Sequence, residues 1–118
     1  MTKTTRSDFL LFKDCVKEYQ IKLGLTDWKI AFTIDSSLVD AYASTSWNLR
    51  AYIATMFFTG EWDDMIPKNY ENIRRIALHE ILHLLMAPLT NEARERYTTE
   101  SLIESIEHNI IRRLENIV

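Results

Sequence analysis

An α+β fold is the prediction of this sequence, and three observations carry it. A helix-period apolar stripe lies near the start, an alternating strand pattern follows, and two helix-period segments fill the second half. The expected order is an N-terminal helix, a small three-stranded antiparallel sheet, a long helix and a C-terminal helix. At 118 residues this fits one domain, with residues 1–6 expected to be flexible.

The first helix is read from Ser7 to Leu23, where Phe9, Phe12, Val16, Tyr19 and Leu23 recur at three- and four-residue steps. Ser7 or Asp8 is placed to cap its start, and Gly24 to end it in a left-handed conformation. From Trp28 to Ile34, Trp28, Ile30, Phe32 and Ile34 alternate with smaller or polar residues, the pattern of a half-buried strand. Ala41–Trp47 and Arg50–Phe58 read as two further strands, with Asn48-Leu49 as the turn between them. Gly60–Lys68 reads as a loop. A second helix is expected over Asn69–Met86, capped by Asn69 and stopped by Pro88. After a polar stretch over residues 88–97, a final helix from Thr98 carries Ile103, Ile106, Ile110, Leu114 and Ile117 on one side.

Composition narrows the function. Hydrophobic residues make up 47% and the chain has only two glycines and two prolines, which excludes a disordered or collagen-like chain. A formal net charge of -3 argues against nucleic acid as a primary ligand. The basic pairs Arg74-Arg75 and Arg112-Arg113 read as solvated helix faces among acidic residues. Cys15 is the single cysteine, expected as a buried inert thiol, so neither an internal disulfide nor a cysteine zinc site is available. With no apolar run of membrane-spanning length and no apolar segment behind the basic N-terminus, a cytoplasmic protein without membrane attachment is expected. The aromatic residues read as core packing rather than a stacking surface, and Asp63-Asp64 as turn chemistry.

The chemistry is concentrated in His79-Glu80-Ile81-Leu82-His83, which uses two of the three histidines in the chain. On a helix, residues i and i+4 share a face, so both imidazoles can address one metal ion with Glu80 beside them. The flanks Ile76-Ala77-Leu78 and Leu84-Leu85-Met86 are apolar, so the helix is a core helix. Two imidazoles and a carboxylate in such surroundings require partners, and a metal supplies them. A catalytic zinc has three protein ligands and an open position, and it lowers the pKa of bound water to about 7. Glu80 would then serve as general base, help worth about 3 to 5 kcal/mol of barrier.

A third ligand is sought downstream among Glu100, Glu104, Glu107 and His108. Glu100, Ile103, Glu107, Ile110, Leu114 and Ile117 follow one seam, so Glu100 and Glu107 are acidic residues on an apolar stripe. A buried carboxylate needs a partner, so either could face the metal while the other hydrogen-bonds a ligand histidine. Glu100 is placed first and Glu107 second.

The stretch Ala77-Leu78-His79-Glu80-Ile81-Leu82-His83-Leu84-Leu85-Met86-Ala87-Pro88-Leu89, followed by Glu100-Ser101-Leu102-Ile103 and a basic, aliphatic helix, resembles the small gluzincin-like zincin metallopeptidases of phages and mobile elements. The resemblance covers the chain in element order but is specific over the motif helix and the last helix alone. It implies a zinc metallopeptidase acting on a peptide or protein substrate. His79, His83 and Glu100 would be the ligands, Glu80 the base, and a sheet-edge strand within Ala51–Phe58 would bind substrate in extended form. Position 86 is Met, so the glycine of the longer metzincin motif is absent. No oxyanion donor is marked, although Arg94, Arg96 and Tyr97 lie where they could approach. The alternative from another class is a catalytically silent module that binds metal and a partner protein.

Overall fold

A computed structural model describes residues 2–38, 41–96 and 99–118, with the side chain of Arg96 left aside. The elements in order are β1 (Thr2–Lys3), α1 (Arg6–Lys22), β2 (Lys29–Asp35), β3 (Ala43–Asn48), β4 (Ile53–Thr59), β5 (Glu61–Trp62), α2 (Tyr70–Arg96) and α3 (Glu100–Glu115). The chain is α+β, as expected. Among the described residues no helix is long and apolar enough to cross a membrane.

Thr5 caps α1, one turn earlier than expected. Its Oγ1 accepts from the Asp8 amide at 3.1 Å and Asp8 Oδ2 accepts from the Thr5 amide at 2.9 Å, so Asp8 is the reciprocal partner rather than the cap. Gly24 ends the helix at φ 72°, a left-handed conformation that glycine adopts without strain. Ahead of α1, Thr2 and Lys3 pair antiparallel with Trp62 and Glu61. Cys15 is buried, and burial pushes its thiol up.

The three-stranded sheet departs from the antiparallel meander. Its order is β2-β4-β3, with β4 antiparallel to β3 but parallel to β2. Burial accounts for this. β4 buries Ala54, Met56, Phe58 and Thr59 and takes the centre, where both its edges are paired; β2 and β3 are more exposed and become the edges. Phe12 of α1 stacks on Phe58 of β4 at 4.6 Å between centroids and meets Phe32 of β2 edge-on at 6.2 Å.

α2 runs through Pro88, where the sequence predicts a stop. An interior proline costs about 3 kcal/mol through its missing N–H and ring clash. Contacts on either side of it offset that cost: Ala87 and Thr90 are buried, Trp47 Nε1 of β3 donates to Asn91 Oδ1 at 3.1 Å, and Thr90 Oγ1 donates to Glu107 Oε2 at 3.3 Å. α3 is capped by Thr99 and packs chiefly on α2. Its buried residues are Ile103, Glu107 and Ile111, so the seam turns slightly from the predicted one and leaves Ile117 80% exposed. Thr98, the predicted start of this helix, lies outside the described residues.

Candidate metal centre

The motif occupies the middle of α2, where Ala77, Leu78, Ile81, Leu82 and Leu84 are all buried. That packing fixes the rotation of the helix and presents His79 and His83, four residues apart, to a cleft of about 910 Å³ bounded by β3, α2 and α3. His108 of α3 enters the same space. One ring nitrogen from each of His79, His83 and His108 lies within 4.8 Å of the others, close enough to hold one metal ion. The ring centroids are 5.0 Å apart for His79 and His83, 5.4 Å for His79 and His108, and 5.0 Å for His83 and His108.

Each imidazole is oriented through the same atom. His79 Nδ1 is 2.5 Å from Glu115 Oε1, His83 Nδ1 is 3.0 Å from Glu107 Oε2, and His108 Nδ1 is 2.8 Å from the backbone carbonyl of Glu104. All three partners are oxygen acceptors, so in the neutral ring Nδ1 is the donor and Nε2 is the nitrogen left for a metal. A carboxylate or carbonyl behind a histidine fixes the tautomer and raises the basicity of the free nitrogen. In the metal-free chain, burial of His83 disfavours its cation. The Glu107 hydrogen bond and the nearby charges of Glu80, Glu107 and Glu115 outweigh this and raise its pKa. Glu107 is buried, which pushes its carboxyl up, but the bond to His83, the charge of His83 and the bond from Thr90 bring it below the ordinary value.

Glu80 is 5% exposed, and its Oε1 accepts a hydrogen bond from Thr45 Oγ1 of β3 at 2.7 Å. The motif glutamate is therefore held from across the cleft by the edge strand. Residues 41–47 all line the cleft, both parities together, as the edge of a strand does and a face does not. The substrate-binding edge expected within Ala51–Phe58 is corrected on this point: β4 occupies that stretch and is paired on both sides, and the free edge toward the site belongs to β3.

Glu100, the residue first placed as third ligand, lies outside the cluster. Its side chain is 72% exposed and 3.9 Å from Arg94 Nη2. It shares the helix row of Glu104 and His108, but two turns separate it from His108, a rise of about 12 Å. Glu104 is 52% exposed, 4.0 Å from the same Arg94 nitrogen. Glu107, the other seam carboxylate, hydrogen-bonds His83 rather than joining the cluster of nitrogens. Arg94 lines the cleft with its guanidinium 5.9 Å from the Trp47 ring centroid, while Tyr97 and the side chain of Arg96 lie outside the described residues.

Thr45 and Glu115 escaped the sequence reading. Nothing local marks Thr45, which is set opposite Glu80 by sheet order alone. Glu115 follows His108 by seven residues, two turns on the same face, and that spacing was a readable signal. Compared with protein-family models, curated proteins and solved structures, the chain has no match.

Proposed function

We propose that the protein is a zinc-dependent metallopeptidase of minimal zincin type in which His79, His83 and His108 hold the metal through Nε2 and Glu80 is the general base. One observation carries the reading: three imidazoles, each with Nδ1 tied to an oxygen, meet beside a buried motif glutamate in a cleft edged by a strand. The donor set fits zinc, since three neutral imidazoles suit a borderline-soft ion and leave one tetrahedral position open. The third histidine departs from the glutamate that a gluzincin resemblance implies.

When bound, zinc supplies Lewis acidity toward a carbonyl and lowers the pKa of water to about 7. The chain supplies the rest. The free edge of β3 pairs with an extended peptide through main-chain hydrogen bonds and lays the scissile bond across Glu80. Glu80 takes a proton from water as its oxygen bonds to the peptide carbon. It returns that proton to the amine as the C–N bond breaks. Thr45, donating to Oε1, holds the carboxylate so that its other oxygen is directed to the reacting water.

Metal analysis of protein purified without chelator, together with hydrolysis of a fluorogenic peptide pool, tests this. Glu80→Gln is expected to keep its zinc and lose about 10²- to 10⁴-fold in turnover. His108→Ala is expected to lose the metal, and Glu100→Gln to keep both metal and activity. A metal-free protein whose melting temperature ignores zinc and chelator would overturn the reading.

A further inference from the structure

The two basic pairs of the sequence are each divided by their helix. Arg74 is held away from the cleft: Nη1 and Nη2 donate to Glu18 at 2.9 and 3.1 Å, and the guanidinium lies 4.9 Å from the Tyr19 ring centroid. Arg113 Nε donates to Asn109 Oδ1 at 3.0 Å. Their neighbours Arg75 and Arg112 line the cleft instead. Among the described residues neither side chain makes a hydrogen bond or an ion pair.

The carboxylates that line the cleft with them are engaged elsewhere. Glu115 is bound to His79, Glu107 to His83 and Thr90, Glu80 to Thr45, and Glu104 faces Arg94. The two arginines also each stand one helical turn from a histidine of the cluster. Arg75 is one turn before His79 on α2, and Arg112 is one turn after His108 on α3. Glu107 reaches His83 while Glu115 reaches His79, so α3 runs back along α2, and the turn of Arg112 lies between those two contacts, alongside the motif.

We propose that Arg75 and Arg112 form a receptor for a substrate carboxylate, and hence that the site prefers an acidic peptide. Guanidinium groups present paired N–H donors that match a carboxylate, and free ones beside a cleft have that capacity unspent. One helical turn is about 6 Å, and an extended peptide advances about 3.3–3.6 Å per residue, so the carboxylate sits roughly two residues from the bond cleaved. It belongs either to an Asp or Glu side chain or to a free C-terminus. The assignment of a peptide to the cleft rests on the metallopeptidase reading; the carboxylate receptor can be tested without turnover.

Zinc-loaded Glu80→Gln protein is titrated with fluorescent pentapeptides that differ by Glu against Gln at each position, and by free acid against amide at the C-terminus. The acidic member of one pair is expected to bind about tenfold more tightly. That preference should vanish in Arg75→Gln/Arg112→Gln and persist in Arg74→Gln/Arg113→Gln. A difference confined to Glu against Gln identifies a side chain, and one confined to acid against amide identifies the C-terminus. Equal binding of all pairs, or equal loss of preference in both double variants, overturns the receptor. Wild-type cleavage of the same peptides separates the two readings. Charge-selective binding without cleavage keeps the receptor and ends the peptidase, whereas charge-blind cleavage with charge-blind binding does the reverse.

Discussion

α2 and α3 both deliver histidines to the site, but they are held by different forces. Around the motif α2 is enclosed by apolar contacts: Ile73, Ala77, Ile81, Leu82, Leu84 and Ala87 are all at most 1% exposed. α3 buries Ile103, Glu107 and Ile111, packs chiefly on α2, and makes two of its contacts through carboxylates bound to the histidines of its neighbour. The position of one helix is set by the core, and that of the other is set partly by the site. Metal binding and docking of α3 should therefore be linked, because an ion that binds only the docked state stabilises that state.

The largest effect that sharpens this contrast comes from paired truncations. Ile81→Ala should cost about 2–5 kcal/mol and lower the single unfolding transition of the whole protein. Ile111→Ala removes the same side chain from an equally buried place, but its loss should appear as undocking of α3. Hydrogen exchange checks this: α3 amides should lose protection in Ile111→Ala while those of β4 and of α2 around the motif keep theirs. A uniform loss in both variants would break the comparison.

Glu107→Gln comes next. The amide keeps the size of the side chain and an acceptor oxygen but removes the charge behind His83. Zinc affinity measured by competition with a chelating dye should fall about 10- to 100-fold, the usual cost of losing a partner behind a ligand histidine. Unchanged affinity would show that His83 is oriented by packing alone.

The smallest effect is on the chelated protein as pH changes. Glu107 has a folded pKa below its ordinary value, so its contribution is present above about 4.5 and is lost as pH falls through the folded value. His83 has a raised folded pKa, so its contribution is complete below about 6.5 and is lost as pH rises through the folded value. Without metal, α3 protection should thus peak between those limits. With zinc bound the neutral imidazole is required, and the optimum should move to higher pH.

The same contrast explains what could be read from sequence. The motif helix was legible because apolar periodicity and histidine spacing lie on one element and agree. Gly24 was legible because one residue meets the demand for a positive φ. The third histidine of the cluster was not, since Glu100, Glu104 and His108 share one row of α3 and only the axial offset between two helices selects among them. Sheet order was hidden for a related reason: β4 leaves the hairpin with β3 to pair on its other edge with β2, and no local pattern encodes that partner. The extension of α2 past Pro88 depends on contacts from β3 and α3 that a local rule does not see.

Pro88 itself divides α2 into a longer part that carries His79 and His83 and a shorter part that carries struts. Thr90 and Asn91, just beyond it, hold Glu107 and Trp47, and through Glu107 the shorter part reaches His83. The helix therefore lacks one backbone hydrogen bond between His83 and the residue that braces its partner. Replacing the proline with a better helix former would strengthen the rod at that point without adding to the bracing of His83, so local stability and metal fit need not improve together.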